Sequence, residues 1–375
     1  MKAFNFDEPT ERRGTGSYKW DSADADVIPL WVADMDFRTA PCIIEALSDR
    51  VRHGVFGYEK VPDAWYEALE RWFARRHGWQ IRREEVLCTT GVVPAVSAVI
   101  KAFTRPGDGV ALMTPAYNCF FSSIRNNGCF AAETALLMGD ACWTIDFAAL
   151  EKTLADPRVK VLLFCSPHNP VGRVWTADEI RRTAQIAHQA GVLFVCDEIH
   201  GEFVFGGSRY LPAAQVEGVD PLRTVILTSP TKTFNLAGLQ ASTAVFPNAH
   251  MKAMFDKFWT DMDIHRNNAF SITAMEVAFN EGEEWLEQLL PYISANFDFV
   301  VDYCEKHIPK IRTYAPDATY LMWLDCRDLG LSNEALHDFM IRKAKLGLND
   351  GCAFGRSLNG YMRLNAACPR SVLEQ

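Results

Sequence analysis

The chain has 375 residues, of which 49% are hydrophobic and 23% charged, and its formal net charge is −9. That length exceeds the usual size of a single core and predicts two domains, with the composition of a globular protein. The acidic balance excludes nucleic acid as the principal partner, since phosphate backbones need clustered Lys and Arg. No apolar run approaches the roughly 18 residues of a membrane span.

In chain order, Met1-Lys2-Ala3-Phe4-Asn5-Phe6-Asp7 has no apolar core and no small-residue cleavage site. It reads as no signal peptide, and a cytoplasmic protein is expected. Gly14-Thr15-Gly16-Ser17 follows no strand and lacks the third glycine and the Lys-Ser/Thr of a phosphate loop, so it is discounted as one. The basic stretch Arg71 to Arg76 and the pair Arg82-Arg83 are interleaved with Glu67, Glu70, Glu84 and Glu85, which predicts a solvated helix face.

From Val86 the pattern alternates. Val86-Leu87-Cys88-Thr89-Thr90 reads as a strand, followed by a helix from about Val92 to Phe103. Further strands are predicted at Gly109 to Met113 and Val159 to Cys165, a helix at Thr176 to Ala190, then strands at Val192 to Cys196 and Thr224 to Thr228. Continuous Val/Leu/Ile/Phe runs suit strands covered on both faces, as a parallel sheet requires, and strands alternating with helices give an α/β domain. From about Trp285 the character changes. A long helix is predicted over Glu283 to His307, strands around Thr319 to Leu324 and a helix from Asn333 to Lys345, forming a second, smaller α+β unit that the N-terminal segment joins. The eleven cysteines are odd in number and form no Cys-x-x-Cys pair. Cys88, Cys165 and Cys196 sit in apolar runs, so the cysteines read as reduced structural thiols rather than disulfides or a zinc site.

Chemistry-bearing residues follow the strands. Ser166-Pro167-His168-Asn169-Pro170-Val171-Gly172 follows Cys165, Asp197-Glu198-Ile199-His200 follows Cys196, Ser229-Pro230-Thr231-Lys232 follows Thr228, and Thr90-Gly91 precedes a helix. Ligands of open α/β sheets bind beyond the carboxyl ends of the strands. A lysine desolvated there becomes a nucleophile towards a carbonyl. An aspartate can hold a cationic ring nitrogen, and the free N–H groups of a helix start suit a phosphate. A cofactor with an aldehyde, a basic ring nitrogen and a phosphate fits all three. Taken singly, each residue reads equally as a loop lysine, a cap or a turn.

Ser-Pro-His-Asn-Pro-Val-Gly, Cys-Asp-Glu-Ile-His and Ser-Pro-Thr-Lys-Thr-Phe-Asn-Leu-Ala-Gly, in that order, resemble the class I/II aminotransferases of pyridoxal-phosphate (PLP) fold type I. The chain is more narrowly similar to their cystathionine β-lyase or C–S lyase branch, of the MalY and PatB type. Lys19-Trp20-Asp21, Trp31 to Phe37, Phe56-Gly57-Tyr58, Pro115-Ala116-Tyr117 and Arg363-Leu364-Asn365 extend the match across essentially the whole chain. The resemblance implies a mostly parallel seven-stranded sheet in a large PLP-binding α/β domain, residues 45–284, and a small α+β domain from residues 1–44 and 285–375.

It also implies roles. Lys232 would carry PLP as a Schiff base and move the Cα proton, Asp197 would pair with the ring nitrogen, and Asn169 would bond the ring oxygen with His200 beside it. Tyr117 would stack on the ring. Gly91, Val92, Val93 and Ser229 would hold the phosphate, together with Tyr58 from the neighbouring subunit of a homodimer. Arg363 would clamp the carboxylate of an amino-acid substrate, next to Asn169, Ala33 and Asp34. Two departures stand out: Gln240 occupies a position where many aminotransferases place a phosphate-binding Arg, and the chain stops at Gln375, where relatives usually continue into a final helix.

The resemblance favours α,β-elimination from L-cystathionine or related S-substituted cysteines, giving pyruvate, ammonia and a thiol. An amino-acid aminotransferase is the alternative enzyme, because Lys232 serves both. A regulatory protein-binding role, alongside catalysis or instead of it, is the alternative of another kind.

Overall fold

The computed structural model describes residues 3–139 and 142–375; Met1 and Lys2, the first residues of the segment read as no signal peptide, lie outside them. Its central sheet has seven strands: β1 Val86–Thr89, β2 Gly109–Thr114, β3 Phe130–Ala135, β4 Val159–Cys165, β5 Leu193–Asp197, β6 Thr224–Thr228 and β7 Ser242–Val245. Their spatial order is β1-β7-β6-β5-β4-β2-β3. All pairs are parallel except those of β7, which runs antiparallel to both β1 and β6.

Successive strand side chains point to opposite faces, and the core divides accordingly. Leu162, Phe164, Phe194, Cys196 and Ile226 face one apolar cluster, while Val161, Leu163, Val195, Val225 and Leu227 face the other. The first cluster is closed by helices such as Ala177–Gln189, through Ile180, Ala184 and Ala187. The second is closed by helices such as Val92–Phe103, through Val96 and Val99. Burial on both faces explains why β2 and β4 to β6 are apolar runs rather than alternating patterns. Cys165 and Cys196 pack inside these strands as small hydrophobes.

The strands and helices predicted between Val86 and Thr228 form within a residue or two of expectation. Two strands had no legible signal: β3 is half exposed, and β7 is the short run Ser-Thr-Ala-Val. Beyond the helix Glu283–His307 lies a three-stranded antiparallel sheet of β8 Leu321–Asp325, β9 Asn349–Asp350 and β10 Tyr361–Asn365, in the order β8-β10-β9. The helix expected up to Lys345 is regular only over Asn333–Phe339, and then widens to a π turn over Met340–Ala344. A last short helix, Arg370–Glu374, follows Pro369.

One local expectation changes. The helix Asp63–His77 is not solvated along its whole basic run: Arg76 turns inward onto Glu202 at 2.7 Å and also bonds Glu283 and Glu287, while His77 meets Glu202. The Gly14–Ser17 loop folds on the chain itself, with the Gly14 and Gly16 amides donating to the Asp21 carboxylate. Among the described residues no helix is long and apolar enough to cross a membrane.

Candidate active site

The loops after β1, β2, β4, β5 and β6 enclose a cavity of about 240 Å³ lined by Gly91, Val92, Val93, Tyr117, Asn169, Asp197, His200 and Lys232, with Ala33 closing it from the N-terminal segment. The parallel strands bring these residues to one rim because each ends at the same edge of the sheet.

Lys232 lies on the short helix Pro230–Thr233, which the Ser229 hydroxyl caps by accepting from the Thr231 amide at 3.0 Å. The Lys232 amine donates to the Ala33 carbonyl. Burial, helped by Arg363, lowers this amine from 10.5 to about 8 against the opposing pull of Asp34 and Asp197. Asp197 is buried at the end of β5 and accepts from the Ile199 amide at 3.2 Å. Burial raises its carboxyl to about 7. A buried carboxylate facing the cavity, with so little to pair its charge, fits a ligand that brings a cation. His200 is neutral, since burial together with Lys232 and Arg363 lowers it to about 3, and its Nδ1 has no hydrogen-bond partner among the described residues.

The helix Val92–Phe103 starts at the cavity wall: Gly91 caps it with φ +147°, a conformation other residues rarely adopt, and Gly91, Val92 and Val93 line the cavity. The Ser229 hydroxyl does not line this cavity. It donates to the Ala241 carbonyl at 2.6 Å, and Thr231, two residues later, lines the cavity instead. Gln240 lines it too.

On the far side, Arg363 projects from β10 and is buried. Its Nη1 donates to Asn169 Oδ1 at 3.0 Å, and its Nη2 donates to the Trp31 carbonyl at 2.9 Å and to Asn349 Oδ1 at 2.6 Å. The guanidinium lies over the Phe354 ring at 4.8 Å. Burial lowers it to about 10, still far above neutrality. Tyr117 is partly buried, and burial pushes its phenol well up. Tyr58 stands apart from the cavity at 91% exposure. Asp34 lies behind Ala33, paired with Arg12 at 2.8 Å.

Sequence reasoning missed Thr231, Tyr320 and Asn349. Thr231 was findable, being next to Lys232 in the same turn. Tyr320, whose hydroxyl donates to the Ala33 carbonyl at 2.9 Å, and Asn349, the register partner of Arg363, carry no local signal.

The family model of the class I and II aminotransferases matches residues 25–375. Cystathionine beta-lyase PatB of Bacillus subtilis (strain 168) is 38% identical over 375 residues, covering 99% of this chain and 97% of that protein. Protein MalY of Escherichia coli (strain K12) is 35% identical, covering 99% and 96%. The crystal structure of cystalysin from Treponema denticola, which contains a pyridoxal 5'-phosphate cofactor, superposes with a TM-score of 0.96 at 35% identity, over all of this chain and 96% of that one.

Proposed function

Because the chain belongs to the class I and II aminotransferase family, we propose that it is a PLP-dependent C–S β-lyase. It cleaves L-cystathionine or related S-substituted cysteines to pyruvate, ammonia and a thiol. One observation carries the site: Lys232, Asp197 and Asn169 line a single cavity, with Arg363 hydrogen-bonded to Asn169 behind it. The cystathionine β-lyase of B. subtilis supports the choice of reaction.

When bound, PLP supplies an aldehyde for imine formation and a ring that takes up the electrons left at Cα. The chain's own groups do the rest. Lys232, lowered to about 8 by burial, is an amine that would anchor the cofactor covalently and, once freed, would take the Cα proton at near-neutral pH. Asp197 would pair with the ring nitrogen and keep it protonated, while Asn169 would bond the ring oxygen with neutral His200 beside it. Tyr117 would cover the ring. The amides of Gly91, Val92 and Val93 would receive the phosphate at a helix N-terminus, with Thr231 and the cap residue Ser229 shaping that end. Arg363 clamps the substrate carboxylate beside Asn169, with Ala33 bounding the substrate and Asp34 behind it. In the elimination Lys232 would take the Cα proton, the Cα–H electron pair would form the Cα=Cβ bond, and the Cβ–S pair would leave on the thiolate; water then hydrolyses the released enamine to pyruvate and ammonia.

Residues 45–284 form the cofactor-holding domain and residues 1–44 with 285–375 form the smaller one. This division follows the sheets, since β1 to β7 lie in the first range and β8 to β10 in the second. The protein is a homodimer in which Tyr58 reaches the neighbouring site. In support, Val51, Val55, Phe56 and Tyr58 are all more than half exposed along one stretch, and Phe56 packs on Phe270 at 5.4 Å. The eleven free thiols suit a reducing cytoplasm.

The test incubates the purified PLP-loaded protein with L-cystathionine and a panel of S-substituted cysteines, with Lys232→Ala as control. Pyruvate and thiol release that the variant lacks are expected. Transamination with 2-oxoglutarate and no pyruvate would overturn β-elimination in favour of an aminotransferase.

A further inference from the structure

Residues 31–37 form an irregular, largely buried segment, so their backbone polar groups need partners outside regular secondary structure. Side chains supply them for every carbonyl from Trp31 to Met35. Arg363 takes the Trp31 carbonyl, Asn365 those of Val32 and Asp34, and Lys232 with Tyr320 that of Ala33. Asn235, three residues after Lys232, takes the carbonyls of Met35 and Phe37 and accepts from the Met35 amide. The segment therefore links the lysine turn directly to the arginine strand.

Its outer side is locked by a compact knot of charge. Lys19, fully buried, bonds Asp36 Oδ2 at 2.7 Å and lies 3.8 Å from Asp34 Oδ1. Arg12 donates to the Met35 carbonyl at 2.9 Å and to Asp36 Oδ1 and Asp34 Oδ2 at 2.8 Å each. The Trp20 indole donates to Asp36 Oδ1 at 2.8 Å, and the Ser17 hydroxyl accepts from Arg12 at 2.9 Å. Two cations balance two carboxylates, which lets the knot be buried at tolerable cost.

We propose that Arg12, Lys19 and Asp36 are positioning residues, which act through segment 31–37 to hold the Lys232 amine and the Arg363 guanidinium in their working arrangement. None of the three lines the cavity. The kinetic consequence rests on the lyase reading above; the effect on the free Lys232 amine does not.

The test compares the full-length wild-type chain with the charge-balanced pair Lys19→Met/Asp36→Asn and, separately, with Arg12→Gln, which alters a partly exposed side chain and leaves the buried pair in place. Arg158→Gln is the control, since Arg158 pairs with Asp156 and touches neither the knot nor segment 31–37. In the cofactor-free chain, the pH profile of Lys232 modification by an amine reagent is read by peptide mass spectrometry. Lys232 is faced by Arg363, Asp34, Asp197 and Cys119, none of which is substituted. A misaligned Ala33 carbonyl no longer favours the charged amine. The knot variants should therefore label about threefold faster near neutrality, a midpoint shift of roughly half a unit, while the control keeps the wild-type profile. In the PLP-loaded chain the knot variants should lose roughly tenfold in kcat at unchanged cofactor affinity. Wild-type labelling and kcat in a folded knot variant would overturn the proposal, whatever its Tm. So would equal changes in Arg158→Gln. Should the double variant not fold, Arg12→Gln decides by the same readings. Altered labelling in a chain without β-lyase activity would sink the lyase reading and leave the positioning intact.

Discussion

Arg363 Nη1 donates to Asn169 Oδ1 at 3.0 Å across 194 residues of sequence, joining the three-stranded sheet to the loop that follows β4. The same guanidinium is held on its other nitrogen by Trp31 and Asn349, so it is oriented before any substrate arrives. In the proposed role of carboxylate clamp, that prior order spares the ordering entropy of binding.

Arg363→Lys keeps the charge and loses the planar fork that meets three acceptors. Catalytic efficiency on an S-substituted cysteine should fall roughly 10- to 100-fold, mostly through KM, which corresponds to one or two charge-assisted hydrogen bonds. Steady-state kinetics measure it, and an unchanged KM would remove Arg363 from carboxylate binding.

Asp197 governs a pH dependence whose sign follows from its raised carboxyl. The value rises from 3.8 to about 7, so between those limits the folded, cofactor-free chain holds a proton that the unfolded chain releases. The stabilisation is full below 3.8 and is lost as pH rises through about 7. The Tm of the cofactor-free chain should fall over that window, and Asp197→Asn should flatten part of the fall. Glu198, raised by burial to about 8, acts in the same direction in both proteins, so the difference between them reports Asp197. Added PLP should raise Tm more at pH 8 than at pH 5, because the ring cation then meets an ionised carboxylate. Parallel Tm profiles for the two proteins would refute the assignment.

Gly172 closes the Asn169 loop at φ +71°, and a Cβ there would lie 2.3 Å from Pro316 Cβ and 3.0 Å from the Ala318 carbonyl oxygen. Gly172→Ala should cost at least about 2 kcal/mol, from overpacking together with the left-handed backbone. A lower denaturation midpoint at unchanged m-value measures it.

Gln240 already occupies the left-handed region, at φ +53°, on the cavity wall. Gln240→Arg therefore adds a cation without new backbone cost, and should tighten PLP binding roughly tenfold through a charge-assisted bond to phosphate. Equilibrium titration of the cofactor decides it. An unchanged Kd would move the phosphate away from this residue.

Much of the chain was legible in one dimension. The runs Val159 to Cys165 and Thr224 to Thr228 announce buried strands, and Asp197 ends a strand while Asn169 and Lys232 follow strand ends, at positions that a parallel sheet carries to one edge. These are local facts, because strand burial and strand direction are written in consecutive residues. What remained hidden depends on the meeting of distant segments. Ser-Thr-Ala-Val becomes β7 only because β1 and β6 leave a gap for it. Arg76 leaves the solvated face only because Glu202 is waiting there.

By itself, then, the amino-acid order determined the alternating architecture, the strand-end residues and, through its motifs, the family. Only the tertiary structure decided that the Ala33 carbonyl receives both Lys232 and Tyr320, that Arg363 is caged by Asn169, Trp31 and Asn349, and that Lys19 is buried between two aspartates. The physical reason is that an irregular buried segment must find its hydrogen bonds wherever the packed chain offers donors, and no local pattern records which donors those will be.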